Sequence, residues 1–280
     1  MTFSIGTRWG RSELGIGIRH RDLVAGPEPE SAHHELSQAR RVIRRHRRHN
    51  RQQRSGRAWR PIQHQKAGTP ISSVSIIGLG NMASALAGRA LAGGNAVEII
   101  GRDPAKAKEV AAALGGATVG TAGIAPAGDI VVLAVPYASA AAVVGEYGDA
   151  LHGKVIIDIT NPVSPDFKGL VTPDGSSAAQ EIAKAAPAGS HVVKAFNTLY
   201  SNVLAAGPAD GRRLDVFIAG DDAQAKRRVS AFIESLGLRP MDTGQLPMAR
   251  TLENAGLLML GLVAHSVKHT NFSLGVSILS

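Results

Sequence analysis

Six short apolar runs punctuate the chain after residue 73: Val74–Ile77, Ala96–Ile100, Ile130–Val135, Val155–Ile159, Val192–Phe196 and Val216–Ala219. They are continuous rather than alternating, the pattern of strands covered on both faces. Stretches of helical character lie between several of them. Met82–Leu91 follows the first run and stops at Gly93-Gly94. Asp103 and Pro104 open the next, with Asp as N-cap and Pro at the first helical position, and Gly115-Gly116 closes it. Ala138–Ala150 and Ala223–Leu236 have the same character. Strands alternating with helices predict an α/β fold, a Rossmann-like, doubly wound parallel sheet.

After Gly244 the periodicity changes. The segment "ARTLENAGLLMLGLVAHSVKH" reads as one long helix, apolar around most of its circumference. Such a helix is either deeply buried or shared with a second subunit. The expectation is a homodimer through the helix around Leu257–Val267. The predicted organisation is therefore a leader over 1–71, a nucleotide-binding domain over 72–245, and a C-terminal helical segment over 246–280 that serves the acceptor site, dimerisation or both.

Composition sharpens this picture in three places. There is no cysteine among the 280 residues, which excludes disulfides, thiolate chemistry and Cys-ligated metals. The formal charge of +9 is not spread over the chain. Residues 1–71 hold fourteen Arg and one Lys against five acidic residues, whereas the remainder holds sixteen basic and seventeen acidic residues. The leader, with "RRVIRRHRRHNRQQRSGR" at its centre, reads as a disordered Arg-rich extension, because a dense like-charge block repels itself. An arm for nucleic acid or an anionic surface is the alternative, confined to those residues. No uncharged apolar run approaches the roughly 20 residues of a membrane-spanning helix, and no secretory signal is visible, so a cytoplasmic protein is expected.

The chemistry begins at "VSIIGLGNMA", a strand running into Gly-x-Gly-x-x-Ala. Gly78 makes the tight turn, Gly80 lets the backbone approach a pyrophosphate, and Ala83 is small enough for close helix–strand contact. The N–H groups that open the helix then face the phosphates. At the tip of the second strand, "EIIGRDPAKA", an NAD enzyme carries an acidic residue for the ribose hydroxyls. Here the tip is Gly101-Arg102. A guanidinium pairs with a 2′-phosphate, Lys106 lies one turn along, and Asp103 is engaged as an N-cap, so NADP is the expected cofactor. The alternative gives Asp103 the ribose and leaves Arg102 as a solvated surface residue.

Three further segments, "LAVPYAS", "DITNPV" and "HVVKAFNTL", complete a pattern. Together with "VSIIGLGNMA" and "GRDPAKA" they resemble the coenzyme F420-dependent NADP oxidoreductase family over about residues 72–280. The relatives of that family include the cytosolic domains of the STEAP ferric reductases, and this chain shows no counterpart of their membrane helices. The resemblance implies hydride transfer between NADPH and the deazaflavin F420, or a flavin, with the two rings stacked at the carboxyl end of the sheet. It places nucleotide contacts on Gly78, Leu79, Asn81, Met82 and Arg102, and on Ala134, Val135 and Pro136. It places the nicotinamide border on Asn161 and Pro162 and on Ala195, Phe196 and Asn197. Gly101 departs from the pattern, since many relatives carry Ser there as a second 2′-phosphate ligand. C-terminal elements of related reductases close the acceptor site.

Hydride transfer between rings needs orientation more than acid–base help, so no catalytic side chain is required. Lys194 is the one candidate, a lysine at the end of an apolar strand. It resembles the acid/base lysine of the β-hydroxyacid dehydrogenases, but Thr198 stands where that pattern has Asn, and Asn197 is one residue short. A lysine whose stem packs and whose ammonium reaches solvent or a carbonyl is the plainer expectation. Two other functions stay open: a small-substrate NADP-dependent dehydrogenase or imine reductase using Lys194, and a non-catalytic NADP-binding regulator with the leader as its nucleic-acid arm. His265 and His269 share a helix face, but with no carboxylate ligand nearby no metal site is expected.

Overall fold

The computed structural model describes residues 72–207 and 212–279, so the expectations for the leader over 1–71 lie outside the described residues. Eight strands form one sheet: β1 (Ser73–Ile77), β2 (Ala96–Ile100), β3 (Thr118–Val119), β4 (Ile130–Leu133), β5 (Val155–Asp158), β6 (His191–Lys194), β7 (Asp215–Gly220) and β8 (Arg239–Asp242). Seven α-helices accompany them: α1 (Asn81–Ala92), α2 (Pro104–Leu114), α3 (Tyr137–Tyr147), α4 (Ala178–Ala185), α5 (Ser201–Ala206), α6 (Ala223–Ser235) and α7 (Ala249–Leu262). The strand order is β3-β2-β1-β4-β5-β6-β7-β8.

The order reverses between β1 and β4, the switch point of a doubly wound sheet, where ligands bind outside the carboxyl ends of the strands. Alternate residues of each strand serve the two faces. Val74, Ile76, Ile130 and Val132 join α1, α5 and α6 in one core layer. Ile77, Val131 and Leu133 join α3, α4 and the first half of α7 in the other. Both faces are dry, which is why the runs read as continuous rather than alternating.

One element departs from the all-parallel expectation. β1 to β6 run parallel, but β7 pairs antiparallel with β6, with Val193 opposite Gly220 and Lys194 opposite Ala219, and β8 runs with β7. A parallel return requires a crossover helix against the sheet face. The connection over 195–214 instead turns at the carboxyl edge, where Phe196 takes a left-handed conformation (φ 61°) and the helix has only six residues. The reversed pair lets α7 climb the face shared with α3 and α4.

The C-terminal segment also differs from a single long helix. α7 ends at Leu262, a π-type turn covers Val263–Val267, and Lys268 breaks it with φ 63°. The chain then runs extended. Phe272 packs edge-on against Tyr200 with ring centroids 5.6 Å apart, and the Val276 N–H donates to Asp215 Oδ2 at 2.7 Å. No helix among the described residues is long and apolar enough to cross a membrane.

Candidate nucleotide cleft and buried ion cluster

The β1–α1 turn is built by two glycines with different tasks. At Gly78, φ is 137° and an added Cβ would lie 2.2 Å from the carbonyl oxygen of Ala134. No L side chain fits that backbone or that space. Its N–H donates to Ile100 O at 2.8 Å, and Ala134 N–H donates to Ile77 O at 2.9 Å, so β2, β1 and β4 close on this residue. Around Gly80 the opposite holds: an added Cβ would meet nothing within 4 Å. Gly80 is the N-cap of α1 and brings no side chain to bond the first N–H groups of the helix. The result is an uncapped helix N-terminus beside open space, the arrangement that accepts a phosphate.

A cleft of about 730 Å³ extends from this turn. It brings together nine of the residues expected from the sequence: Gly78, Leu79, Gly80, Gly101, Arg102, Lys106, Ala134, Val135 and Pro136. Asp103 lines it too, but its carboxylate Oδ1 accepts from the N–H groups of Ala105 and Lys106 at 3.0 and 3.1 Å. It therefore acts as the N-cap of α2, and Arg102 and Lys106 are the cations at the mouth. Arg102 makes no ion pair with a described residue. Gly101 has a steric explanation: a Cβ there would fall 2.4 Å from Leu79 Cδ1. The Leu79 side chain fills the space that a Ser at this position would need.

The far wall was not foreseen. Ala138 and Ala142 on α3, with Glu146 and Tyr147 near its end, line the cleft, and Gly123 faces them. Small residues one turn apart at Ala138 and Ala142 keep that helix face low, and their spacing was the available signal. Burial raises the Tyr147 hydroxyl there, against a backbone contact at Gly123 that lowers it.

Asn81 and Met82 open α1 beside the cleft rather than lining it. Asn161, Pro162, Ala195, Phe196 and Asn197 form a second group at the carboxyl ends of β5 and β6, next to β4, which ends at Leu133. Asn161 and Asn197 grip each other: Asn161 Nδ2 donates to Asn197 O at 2.8 Å, and Asn197 Nδ2 donates to Asn161 Oδ1 at 3.0 Å. Asn197 Nδ2 also donates to Leu252 O at 2.8 Å, which ties the pair to α7. Phe196 lies at this border with its side chain turned inward. Its ring is fully buried and packs edge-on against Phe232 at 6.3 Å, in the core layer on the α6 face.

Of the two partners expected for the Lys194 ammonium, solvent or a carbonyl, it meets the carbonyl, with two carboxylates beside it. Its ammonium does not reach solvent: Lys194, Asp158 and Glu253 are all fully buried. Nζ donates to Asp158 Oδ2 at 2.8 Å, to Glu253 Oε1 at 2.9 Å and to Thr160 O at 2.5 Å. An ammonium has three N–H bonds, and all three are used inside the protein. Burial pushes the Glu253 carboxyl above its ordinary value, and Lys194 opposes that shift. Burial, followed by the charges of Glu181, Glu253 and Asp158, raises the nearby Tyr137 hydroxyl. The sequence signal for this cluster was Glu253 itself, an acid one turn ahead of the apolar run Leu257–Leu260. Among the described residues, no group of His, Asp or Glu is arranged to hold a metal.

Comparison with known proteins agrees with the fold. Residues 73–162 match the family model described as NADP oxidoreductase coenzyme F420-dependent. The chain is 32% identical over 174 residues to F420-dependent NADP reductase of Methanothermobacter marburgensis, an alignment that covers 59% of this chain and 72% of that protein. It is 32% identical over 190 residues to Metalloreductase STEAP3 of Rattus norvegicus, covering 67% of this chain but spanning only 37% of that protein's length. A solved structure of a putative F420-dependent NADP-reductase from Arthrobacter sp. FB24 superposes with a TM-score of 0.65 at 25% identity, covering 73% of this chain and 99% of that one. The chain belongs to the coenzyme F420-dependent NADP oxidoreductase family, and is an NADP-dependent oxidoreductase built on a Rossmann-like sheet.

Proposed function

We propose that this enzyme transfers a hydride between NADP(H) and the deazaflavin F420, with a flavin as the alternative acceptor. The observation that carries the cofactor half is the pairing of open space at Gly80 with an uncapped α1 N-terminus, in a cleft whose mouth holds Arg102 and Lys106. The helix N–H groups would hold the pyrophosphate, and the two cations the 2′-phosphate. The nicotinamide would then extend toward the carboxyl ends of β4 and β5, where Asn161 and Asn197 border it. NADP(H) supplies the hydride chemistry, while the protein orients the rings and excludes water.

The acceptor half rests on family membership and on Lys194, whose protons are all committed within the protein. A carbonyl or imine acceptor needs a proton donor in the transition state, whereas a deazaflavin or flavin exchanges its proton with water. We further propose a homodimer through the far half of α7, where Leu258 is exposed and Leu257, Leu260 and Leu262 are half-buried. Mixing the protein with NADPH and, separately, F420, FMN, FAD and a ketone panel tests the reading. Loss of the near-ultraviolet band of NADPH with F420 supports it. Oxidation only with the ketones would overturn it.

A further inference from the structure

Under the proposed hydride transfer the buried Lys194 cluster has no proton to supply, yet it desolvates one ammonium and two carboxylates. Burying charge is tolerated where every lone pair and proton is matched. Here each carboxylate oxygen and each ammonium proton has a partner, and the partners span several elements. Asp158, the last residue of β5, accepts from Lys194 through Oδ2 and from the Thr160 N–H through Oδ1 at 2.8 Å. Glu253 on α7 accepts from Lys194 through Oε1 and from the Ala178 N–H, the first of α4, through Oε2 at 3.2 Å. One ammonium therefore fixes the register of α7 against β5, β6 and α4.

The residues of α7 on either side of Glu253 govern the asparagine pair. One step before it, the Leu252 carbonyl accepts from Asn197 Nδ2. Three steps after it, Gly256 lies against Asn161 so closely that an added Cβ would fall 2.5 Å from Oδ1. The pair keeps this arrangement even though Asn197 Oδ1 is buried with no partner. A small slide of α7 would break the first contact and close the second.

We infer that Lys194 and Glu253 are positioning residues for the hydride step. They set the register of α7, and through Leu252 and Gly256 they hold the Asn161–Asn197 pair in place beside the cleft. The inference rests on the proposed hydride transfer. Its chain of contacts is Lys194 to Glu253, α7 to the amide pair, and the amide pair to the nicotinamide end of the cofactor.

Two variants probe different links. Glu253→Gln keeps the volume but sets an amide N–H₂ against either the Lys194 ammonium or the Ala178 N–H. Gly256→Ala leaves every charge intact and presses on Asn161 directly. Both should remain folded by thermal melt at the assay temperature and bind NADPH within about twofold of the parent. Each should slow single-turnover hydride transfer by about tenfold or more, as misplaced rings do. Glu253→Gln combined with Asn197→Ala should be no slower than Asn197→Ala alone, because both act on one pair. The side-chain amide signals of Asn161 and Asn197, in NMR spectra of the NADPH-bound protein, should move in both variants, a readout that needs no acceptor. Rates within threefold of the parent in both folded variants, additive losses in the double variant, or unmoved amide signals would each overturn the inference. A parent protein that passes no hydride to any acceptor would defeat the proposed function instead, and the amide signals would still decide whether α7 sets the pair.

Discussion

Gly78 meets the carbonyl of Ala134 with no room for a side chain, since a Cβ there would lie 2.2 Å from the oxygen at a φ of 137°. Two residues later Gly80 faces open space. The same fingerprint thus holds one glycine that the packing requires and one that the packing does not, left open toward the proposed phosphate site.

The two are separable by mutation. Gly78→Ala should destabilise the fold by several kcal/mol, combining backbone strain of about 1–3 kcal/mol with the collision against Ala134. Gly80→Ala should leave the melting temperature nearly unchanged and weaken NADPH binding, because the new methyl enters the phosphate's approach. Thermal melts and NADPH titration of both variants check this. Equal destabilisation by the two would contradict the division.

Arg102→Ala should weaken NADPH far more than NADH. A charge-assisted contact to a 2′-phosphate contributes about 1.5–3 kcal/mol, or roughly ten- to a hundredfold in affinity. Titration of both cofactors against the variant measures the difference. Equal losses would return the ribose to Asp103 and remove the preference for NADP. Adding a side chain at Gly101 should help only if Leu79 is shortened in the same protein, since the two compete for one space.

Asp215 offers a pH prediction. Burial raises its carboxyl, but Arg239, with Nε and Nη2 on the two oxygens, and the Val276 N–H outweigh that and hold it below 3.8. A carboxyl depressed in the folded state contributes stability above its unfolded value and loses it as pH falls through the folded one. Stability should therefore decline below about pH 4, and Asp215→Asn should flatten that decline while costing about 1.5–3 kcal/mol at neutral pH. Melts across an acid series decide it. An unchanged acid limb in the variant would sink the assignment.

The dimer prediction is that sedimentation at micromolar concentration gives two copies, and that Leu258→Lys gives one with its helicity intact. A monomeric parent would remove the interface from α7.

The cofactor half of the molecule was legible because local rules and global fold agree there. Asp103-Pro104 opens a helix on propensity and does so in space, and Gly-x-Gly-x-x-Ala follows a strand and leads a helix. Legibility failed where distant residues decide. Nothing in "HVVKAFNTL" shows that β7 will reverse, since direction depends on how the chain turns after Lys194. β8 reads Arg-Pro-Met-Asp, polar with a proline, which suits an edge strand but gives no apolar signal. That the Phe196 ring turns into the core against Phe232 depends on a residue 36 positions away. Lys194 is legible only together with Asp158 and Glu253, which lie 36 and 59 residues away.

The reversal of β7 and β8 also sets an order of events along the growing chain. The whole wall of the nucleotide cleft comes from the segment ending at Tyr147, and β1 to β4 can pair before the rest is made. α7 comes from the far end, and its docking must wait for β5, β6 and the returning strands. Until it arrives, Lys194 and Asp158 stay hydrated, so charge is withdrawn from water only in the last step of assembly. A nascent chain would thus own a place for the nucleotide well before it owns the amide pair's support, and the final helix acts as the inspection that a complete, correctly threaded sheet must pass.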